Sequence, residues 1–261
     1  MRKALDGLVI RETETGESDK LLTVLTAKEG KIPIIAKGVR SPRGKNFALC
    51  RAFTYANFEY YEKNGRRWLA GGSVNDSFFG LSGDLAGFAL AAYIVDVAGE
   101  LTGEGVPDEE MLRAALNTLY AITKKIKPLP QIKAAFEFFA AKHAGFCPDL
   151  SGCGECGKEA GETFLDVMNG ALVCAECFEK NPLRLRVDMP GDFSERRIIL
   201  ALDAASLDAA RYATEASVRR LFAFELKSEK SIALFSEAAE KYLLNHLERG
   251  FETLKFYRSV I

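Results

Sequence analysis

The sequence predicts an α+β protein in which a small five-stranded β-barrel precedes an α-helical domain that carries a four-cysteine segment. Three observations predict this. Short apolar runs separated by turn residues fill residues 1–80, the apolar spacing becomes helical after Gly83, and two Cys-x2-Cys pairs interrupt the helical part. We therefore expect a barrel domain at 1–80, a helical domain at 81–146 and 178–261, and a metal-binding segment at 147–177.

Five strands are expected in the first region, each an apolar, β-branched or aromatic run: one starting at Leu8–Ile10, then Leu21–Leu25, Lys31–Val39, Phe53–Tyr61 and Arg66–Val74. Ala27–Gly30 has the length and the glycine of a hairpin loop, and Asn64-Gly65 is a turn pair. A long loop of Pro, Gly and basic residues follows at Ser41–Lys45. Short strands joined in this way favour a closed, OB-like Greek-key barrel over an open sheet.

The helical domain is predicted from apolar residues at helical spacing and from proline and glycine at the helix ends. Asp84–Leu101 is apolar almost all round, which indicates a buried helix. The other expected helices are one opened by Pro107, one running from Pro130 to about Gly145, and, from Ser194 onward, further helices ending with Ser231–Leu247.

The four cysteines of the two pairs are Cys153, Cys156, Cys174 and Cys177, with seventeen residues between the pairs. A two-residue spacer lets both sulfurs of a pair reach one ion, so the spacing predicts one structural zinc closed by four thiolates, with a hairpin at Thr163–Val173. Two redox or disulfide pairs, or unligated cysteines, are the alternatives. Cys50 and Cys147 lie outside the pattern and are expected to be small buried hydrophobes.

The formal net charge of -1 conceals one strongly basic stretch. Residues 20–51 hold eight basic side chains and one acidic one, a net +7, so the other residues sum to -8. Such a stretch is either a footprint for a polyanion or simply a solvated surface. The predicted DNA-binding residues are Lys20, Lys28, Lys31, Lys37, Arg40, Arg43, Lys45 and Arg51. One or two aromatic residues of the next strand are expected to stack on bases, from among Phe53, Tyr55, Phe58, Tyr60 and Tyr61.

Membrane and enzyme classes find no support in the sequence. The longest apolar run, Leu85–Val95, is too short to span a bilayer, and no apolar leader follows the N-terminus, so the chain is expected to be cytoplasmic. Only His143 and His246 are present, neither in a ligand or nucleophile motif, and Gly16–Lys20 lacks the order of a phosphate-binding loop. We expect no enzyme activity.

Several short motifs follow one another in a fixed order over nearly the whole chain. They are Gly7–Glu12, Gly16–Leu22, Gly30-Lys31 with Ala36–Arg40, Gly145–Leu150 leading into the two cysteine pairs, and His246-Leu247 with Leu254–Phe256. In this order, with a barrel, helices and a four-cysteine insert, the chain resembles the bacterial RecO family of recombination mediators. Residues 181–230 match less clearly.

The resemblance implies a protein of the cytoplasm and nucleoid that works without ATP. It implies binding of single- and double-stranded DNA, annealing of complementary strands, and help in loading RecA onto strands coated by single-strand-binding protein. RecR and the acidic C-terminal tail of single-strand-binding protein are the implied partners, with the RecA filament an indirect one. Some family members lack the cysteines. Because this chain has all four, the resemblance implies a zinc site here too.

A site for that tail needs an apolar groove and a cation, and helices 84–145 offer both. The candidates are Leu112, Leu116 and Phe136, with Arg113, Lys124, Lys125, Lys133 and Lys142. Alternatively these helix faces are core and the lysines plain surface. Two other functions stay open: a zinc-ribbon adaptor that bridges repair or other proteins and touches nucleic acid only incidentally, and a zinc enzyme, which the closed ligand set disfavours.

Overall fold

The computed structural model describes residues 2–44, 46–159, 163–180 and 198–261. The chain divides into two compact units. Met1–Ile126 with Phe251–Ile261 form the first, which we call the barrel unit, and Lys127–Gly250 form the second, which we call the cysteine unit. The predicted domain boundaries stay a prediction, since a division by compactness does not measure which parts fold independently.

The barrel is built from β1 (Arg2–Thr15), β2 (Asp19–Thr26), β3 (Gly30–Ala36), β4 (Tyr55–Lys63) and β5 (Arg66–Asp76). Its strands are ordered β1-β2-β3-β5-β4, and β1 closes it by pairing with both β2 and β4. The β3–β5 pair is parallel, and the other pairs are antiparallel. The predicted OB-like five-stranded barrel is therefore confirmed.

The turns of the barrel lie where the sequence predicts them. Thr26 pairs with Gly30 across the β2–β3 hairpin. Asn64 and Gly65 join β4 to β5, and the backbone angles of both lie in the left-handed region. Gly30 is also left-handed, and a Cβ there would come within 2.2 Å of the Gly103 carbonyl oxygen. Only glycine fits this position, because both the backbone angle and the close approach exclude a side chain. β3 ends at Ala36, earlier than predicted.

Inward-facing residues of the strands form the barrel core. Leu22 and Val24 of β2 alternate with half-exposed neighbours, and Phe58 of β4 is fully buried. This period of two is what a half-buried strand requires. The core also includes Leu49 and Cys50 from the loop between β3 and β4, so this loop is anchored to the barrel.

Among the described residues, the helices are α1 (Leu85–Leu101), α2 (Glu109–Thr123), α3 (Leu129–His143), α4 (Ala175–Lys180), α5 (Ala204–Glu215), α6 (Glu229–Leu247) and α7 (Glu252–Ser259). Asp84 caps α1 by accepting from the Gly87 N–H, and Asp108 caps α2 through the Met111 N–H. None of the helices in the described part of the chain is long and apolar enough to span a membrane.

The cysteine unit holds a small sheet ordered β6-β8-β7-β9, formed by β6 (Asp149–Cys153), β7 (Thr163–Asp166), β8 (Ala171–Cys174) and β9 (Ile199–Leu202). The β7–β8 hairpin confirms the one predicted in the metal segment. The expectation that helices return from Ser194 onward is wrong at β9, whereas Ser194 itself lies outside the described residues. β9 pairs with β7, more than thirty residues earlier, and local periodicity does not reveal such distant pairing.

Candidate functional site

The four cysteines of the two Cys-x2-Cys pairs meet at one end of the small sheet. Cys153 is the last residue of β6, Cys174 is the last residue of β8, and Cys177 lies in α4. All four Sγ atoms lie within 4.8 Å of one another. Cys153 and Cys174 are buried, Cys177 is half-buried, and Cys156 is exposed, so the cluster has a buried side and an open side.

Local backbone contacts hold the first pair in place. The Cys153 N–H donates to the Lys158 carbonyl at 3.0 Å, and the Gly157 N–H donates back to the Cys153 carbonyl at 2.7 Å. Gly157 has a φ of 72°, which glycine adopts without strain. The Gly154 N–H donates to the Leu172 carbonyl at 2.8 Å and so fixes this turn beside β8. The glycines around the first pair therefore make the tight turn that brings its sulfurs together.

The surroundings of Cys153 favour its thiolate form. Burial opposes ionisation of Cys153, but backbone N–H groups, led by that of Cys174 at 3.3 Å from the sulfur, lower its pKa to about 6. Hydrogen bonds to the sulfurs of Cys174 and Cys156 raise the pKa of Cys177 to about 12. A bound cation would displace the remaining thiol protons, since the thiolate is the metal ligand.

The donor set fits a tetrahedral metal ion. Four thiolates at about 2.3 Å from one Zn²⁺ would lie about 3.8 Å apart. The Sγ atoms of Cys156 and Cys174 are 3.8 Å apart, so the side chains need little rearrangement to surround an ion. Four soft sulfur ligands leave no open position, which suits a structural ion better than one that activates water.

The other two cysteines differ from each other. Cys50 is fully buried in the barrel core, where burial raises its pKa to about 12, as expected for a small hydrophobe. The same expectation is wrong for Cys147, which is exposed because it lies in the loop after α3.

Three residues of the basic stretch are engaged within the barrel unit. Lys20 is 7% exposed and its Nζ lies 2.5 Å from Glu12 Oε2. Lys31 donates to the Gly99 carbonyl at 2.6 Å, and Arg40 contacts Glu14 Oε2 at 2.8 Å. Lys20 and Lys31 thus contact β1 and α1, and Arg40 connects the loop after β3 to β1. The predicted DNA contacts of the three residues stay predictions.

The other cations of the stretch face solvent. Lys28, Lys37, Arg43 and Arg51 are exposed, and Lys45 lies outside the described residues. Arg43 lies in the loop between β3 and β4, with Lys37 at its start and Arg51 near its end. The structure thus places an exposed group of cations on one loop of a closed barrel, a surface that attracts a polyanion.

Two family models cover almost the whole chain. Residues 1–78 match the model described as "Recombination protein O N terminal", and residues 82–255 match "Recombination protein O C terminal". The chain belongs to the RecO family. It is a DNA repair protein of that family, and the boundary between the two models follows the last barrel strand.

Relatives named DNA repair protein RecO support the assignment. The protein of Acetivibrio thermocellus is 25% identical over 97% of this chain and 95% of its own length. That of Anaeromyxobacter dehalogenans is 34% identical over 67% of this chain and 70% of its own length. That of Bacillus subtilis is 28% identical over 70% and 71%.

The aromatic residues of this RecO family member divide by strand face. Phe58 and Tyr60 are buried in the barrel, and Phe53 is buried against Phe88. Tyr61 is 42% exposed and Tyr55 is half-buried, so these two can meet a ligand, in line with the expected number.

Two further aromatic residues lie against cations and were missed by the sequence reasoning. The Lys37 ammonium lies 4.7 Å from the centre of the Trp68 ring. Phe47 lies between Lys20 and Arg51, at 5.8 and 5.4 Å from its centre. The position of Trp68 beside Lys37 depends on the pairing of β5 with β3, which local sequence patterns do not reveal.

Three of the residues predicted to form a groove for an acidic tail are buried, namely Leu112, Phe136 and Lys133. Phe136 is fully buried, and Lys133 is buried with its Nζ 2.8 Å from Glu137 and 3.1 Å from Glu240. Lys125 forms an ion pair with Asp84. Buried side chains cannot contact a peptide, so Leu112, Phe136 and Lys133 do not line a docking groove.

Proposed function

We propose that this protein is a recombination mediator that binds single- and double-stranded DNA, anneals complementary strands and helps load RecA onto strands coated by single-strand-binding protein. It does so without ATP and without catalysing a covalent reaction, on the bacterial chromosome in the cytoplasm. The observation that carries the proposal is the exposed, cation-bearing loop on the closed barrel of a RecO family member.

The loop cations supply the phosphate contacts. Lys37, Arg43 and Arg51 are exposed, and each phosphate they neutralise releases condensed counterions from the nucleic acid. Lys28 adds a fourth exposed cation at the β2–β3 hairpin. Contacts of this kind position the protein without reading sequence, which suits a protein that must act anywhere on a chromosome.

Annealing follows from the same electrostatics. Two single strands repel each other through their phosphates, and a basic surface that binds either strand reduces this repulsion and raises their local concentration. Base pairing then supplies the free energy of the product, so neither a nucleotide cofactor nor a catalytic residue is required.

One zinc ion in the cysteine cluster completes the proposal. Cys153, Cys156, Cys174 and Cys177 would hold it and thereby tie β6 and β8 to α4. The ion supplies cross-linking and no reaction chemistry, since all four positions are filled by protein.

RecR and the acidic tail of single-strand-binding protein are the proposed partners. Because Leu112, Phe136 and Lys133 are buried, we place the tail site at Leu116 and Tyr120 of α2 and at Lys124, the residue that follows this helix. These three residues follow one another at four-residue spacing. Tyr120 and Lys124 are exposed and Leu116 is half-buried, which gives an apolar contact beside a cation. A peptide with the sequence of the tail should bind, weaken with salt, and lose affinity on Lys124→Gln.

Fluorescence anisotropy with labelled single-stranded and duplex oligonucleotides across a salt series tests the proposal. Binding of both, weakening linearly on a logarithmic salt scale, is expected, together with faster annealing of complementary strands. The adaptor alternative predicts pull-down of protein partners that survives nuclease treatment and no direct oligonucleotide binding, and this pattern would displace the mediator proposal.

A further inference from the structure

An outward-facing row of apolar side chains crosses four strands of the barrel. Trp68 of β5 pairs with Tyr61 of β4 and with Ile35 of β3, and Ile35 pairs with Leu21 of β2. Residues directly opposite each other on paired strands share a face of the sheet. These four residues form what we call the outer row: Leu21, Ile35, Trp68 and Tyr61.

The neighbours of the outer row fix its orientation. Tyr60 is 1% exposed and Leu69 packs against the barrel core, so both point inward. Because side chains alternate along a strand, Tyr61 and Trp68 point outward. Tyr61 is 42% exposed, whereas Trp68, Ile35 and Leu21 are half-buried.

The outer row continues directly into the loop that carries the DNA-binding cations. Lys37, the first cation of that loop, lies over the Trp68 ring at 4.7 Å. The Trp68 indole nitrogen is buried and has no hydrogen-bond partner among the described residues. An aromatic ring beside an exposed cation matches the bases and phosphates of a nucleic acid.

We propose that Trp68 and Tyr61 form a base-stacking platform by which the barrel distinguishes single-stranded from double-stranded nucleic acid. The inference rests on the proposed DNA-binding function and adds the residues that set strand preference. When a strand binds, Lys37 moves from the Trp68 ring to a phosphate, and a base takes its place on the ring. Bases in a duplex are already stacked and paired, so a duplex uses the cations and not the platform.

Trp68 is the only tryptophan of the chain, so its fluorescence reports on the platform directly. We would titrate the full-length protein with oligo-dT and, separately, with a blunt duplex, exciting at a wavelength that tyrosine does not absorb. Oligo-dT should quench the emission, with the same midpoint as the anisotropy of the labelled strand. The duplex should raise the anisotropy with little quenching.

Substitution at the platform should then separate the two kinds of DNA. Trp68→Leu keeps an apolar outward side chain and should weaken oligo-dT binding roughly tenfold to hundredfold, with duplex binding nearly unchanged. Trp68→Phe should retain most of the affinity. Phe256→Leu, which removes an exposed aromatic side chain of α7, is the matched control and should bind both as the unaltered protein does.

The outcomes separate this inference from the function on which it rests. Binding by anisotropy without quenching by oligo-dT, or equal loss for strand and duplex in Trp68→Leu, would overturn the platform and leave the DNA-binding proposal standing. Absence of any anisotropy change would overturn both. The quenching experiment uses the unaltered protein, so it decides the matter even if Trp68→Leu fails to fold.

Discussion

The barrel and the small sheet of the cysteine unit differ in the length of their strands and in the interactions that stabilise them. The barrel strands run for 7 to 14 residues and close on themselves, so backbone pairing and one apolar core hold them. The strands of the cysteine sheet have only 4 or 5 residues, and two of them end in cysteines of the four-cysteine cluster.

This difference indicates that the two regions have separate roles. A closed barrel keeps its shape without a cofactor and can devote its outer surface to DNA. A sheet of very short strands buries little apolar surface, and binding of a metal then contributes directly to its folding. We therefore expect perturbations of the metal site and of the loop cations to have separate consequences.

The largest effect should follow loss of the metal. Cys174→Ser should abolish stoichiometric zinc, because structural zinc sites contribute roughly 10–16 kcal/mol of binding free energy that is also folding free energy. The measured zinc content should fall from one ion per chain to nearly none, and amide hydrogen exchange should become faster in β6–β8. Cys147→Ser, an exposed cysteine outside the cluster, is the control and should keep its zinc. Equal zinc in both variants would contradict the assignment.

The next effect concerns the buried ion pairs of the cysteine unit. Lys133→Met should destabilise that unit by about 3–5 kcal/mol, because it leaves the buried Glu137 carboxylate without its cation. The denaturant midpoint measured by circular dichroism should fall. The midpoint measured by the fluorescence of Trp68, which lies in the barrel unit, should not change. A shift of both signals by the same amount would show that the two units unfold together.

A smaller effect, on the barrel alone, should follow from neutralising loop cations. Lys37→Gln with Arg43→Gln and Lys45→Gln removes three predicted phosphate contacts and should flatten the logarithmic salt slope for single strands by roughly 2, at about 0.7 per phosphate. The matched control removes three exposed cations of the cysteine unit, through Arg219→Gln, Lys227→Gln and Lys230→Gln. An equal change of slope in the control set would place part of the footprint on the cysteine unit.

The smallest effects concern helix caps, one in each unit. Hydrogen bonds from the Gly87 N–H and Lys125 lower the pKa of Asp84. Burial opposes ionisation of Asp203, but hydrogen bonds from the Ser206 N–H and the Ser231 hydroxyl lower its pKa. Asp84→Ala and Asp203→Ala should each lower the free energy of unfolding by about 1 kcal/mol at neutral pH.

The cap effects also have a defined pH dependence. A carboxylate whose folded pKa is depressed stabilises the fold above its unfolded pKa, about 3.9, and this contribution disappears as pH falls through the folded pKa. The stability difference between each variant and the unaltered protein should therefore shrink below about pH 4. A difference that persists there would mean that the caps act through packing.

Local patterns in the sequence are sufficient to predict most of the fold and the meeting of the four cysteines. The strands between Leu21 and Val74 are apolar or aromatic runs, the turns carry glycine, and the two Cys-x2-Cys pairs have the spacing typical of a metal site. These features depend on neighbours within a few residues. The apolar run of Ile199–Leu202 is equally visible, yet its strand character comes from pairing with the distant β7.

The basic stretch shows where sequence reasoning is insufficient. Lys20 belongs to the basic stretch of the sequence, but its two-residue spacing from Leu22 and Val24 places it on the inner face with them, where it meets Glu12. Counting charge does not reveal which cations are engaged by the protein itself. Trp68 was overlooked for a related reason, since its place beside Lys37 depends on the closure of β5 onto β3.

The central claim is that DNA binding belongs to the barrel and that the metal site serves only the structure of the cysteine unit. It is tested most directly by measuring, side by side, the single-strand dissociation constants of Cys174→Ser and of the three-residue loop variant. Cys174→Ser should stay within about twofold of the unaltered protein, the usual scatter for independent sites. The loop variant should lose roughly tenfold or more. A loss of DNA binding in Cys174→Ser as large as that in the loop variant would contradict the claim.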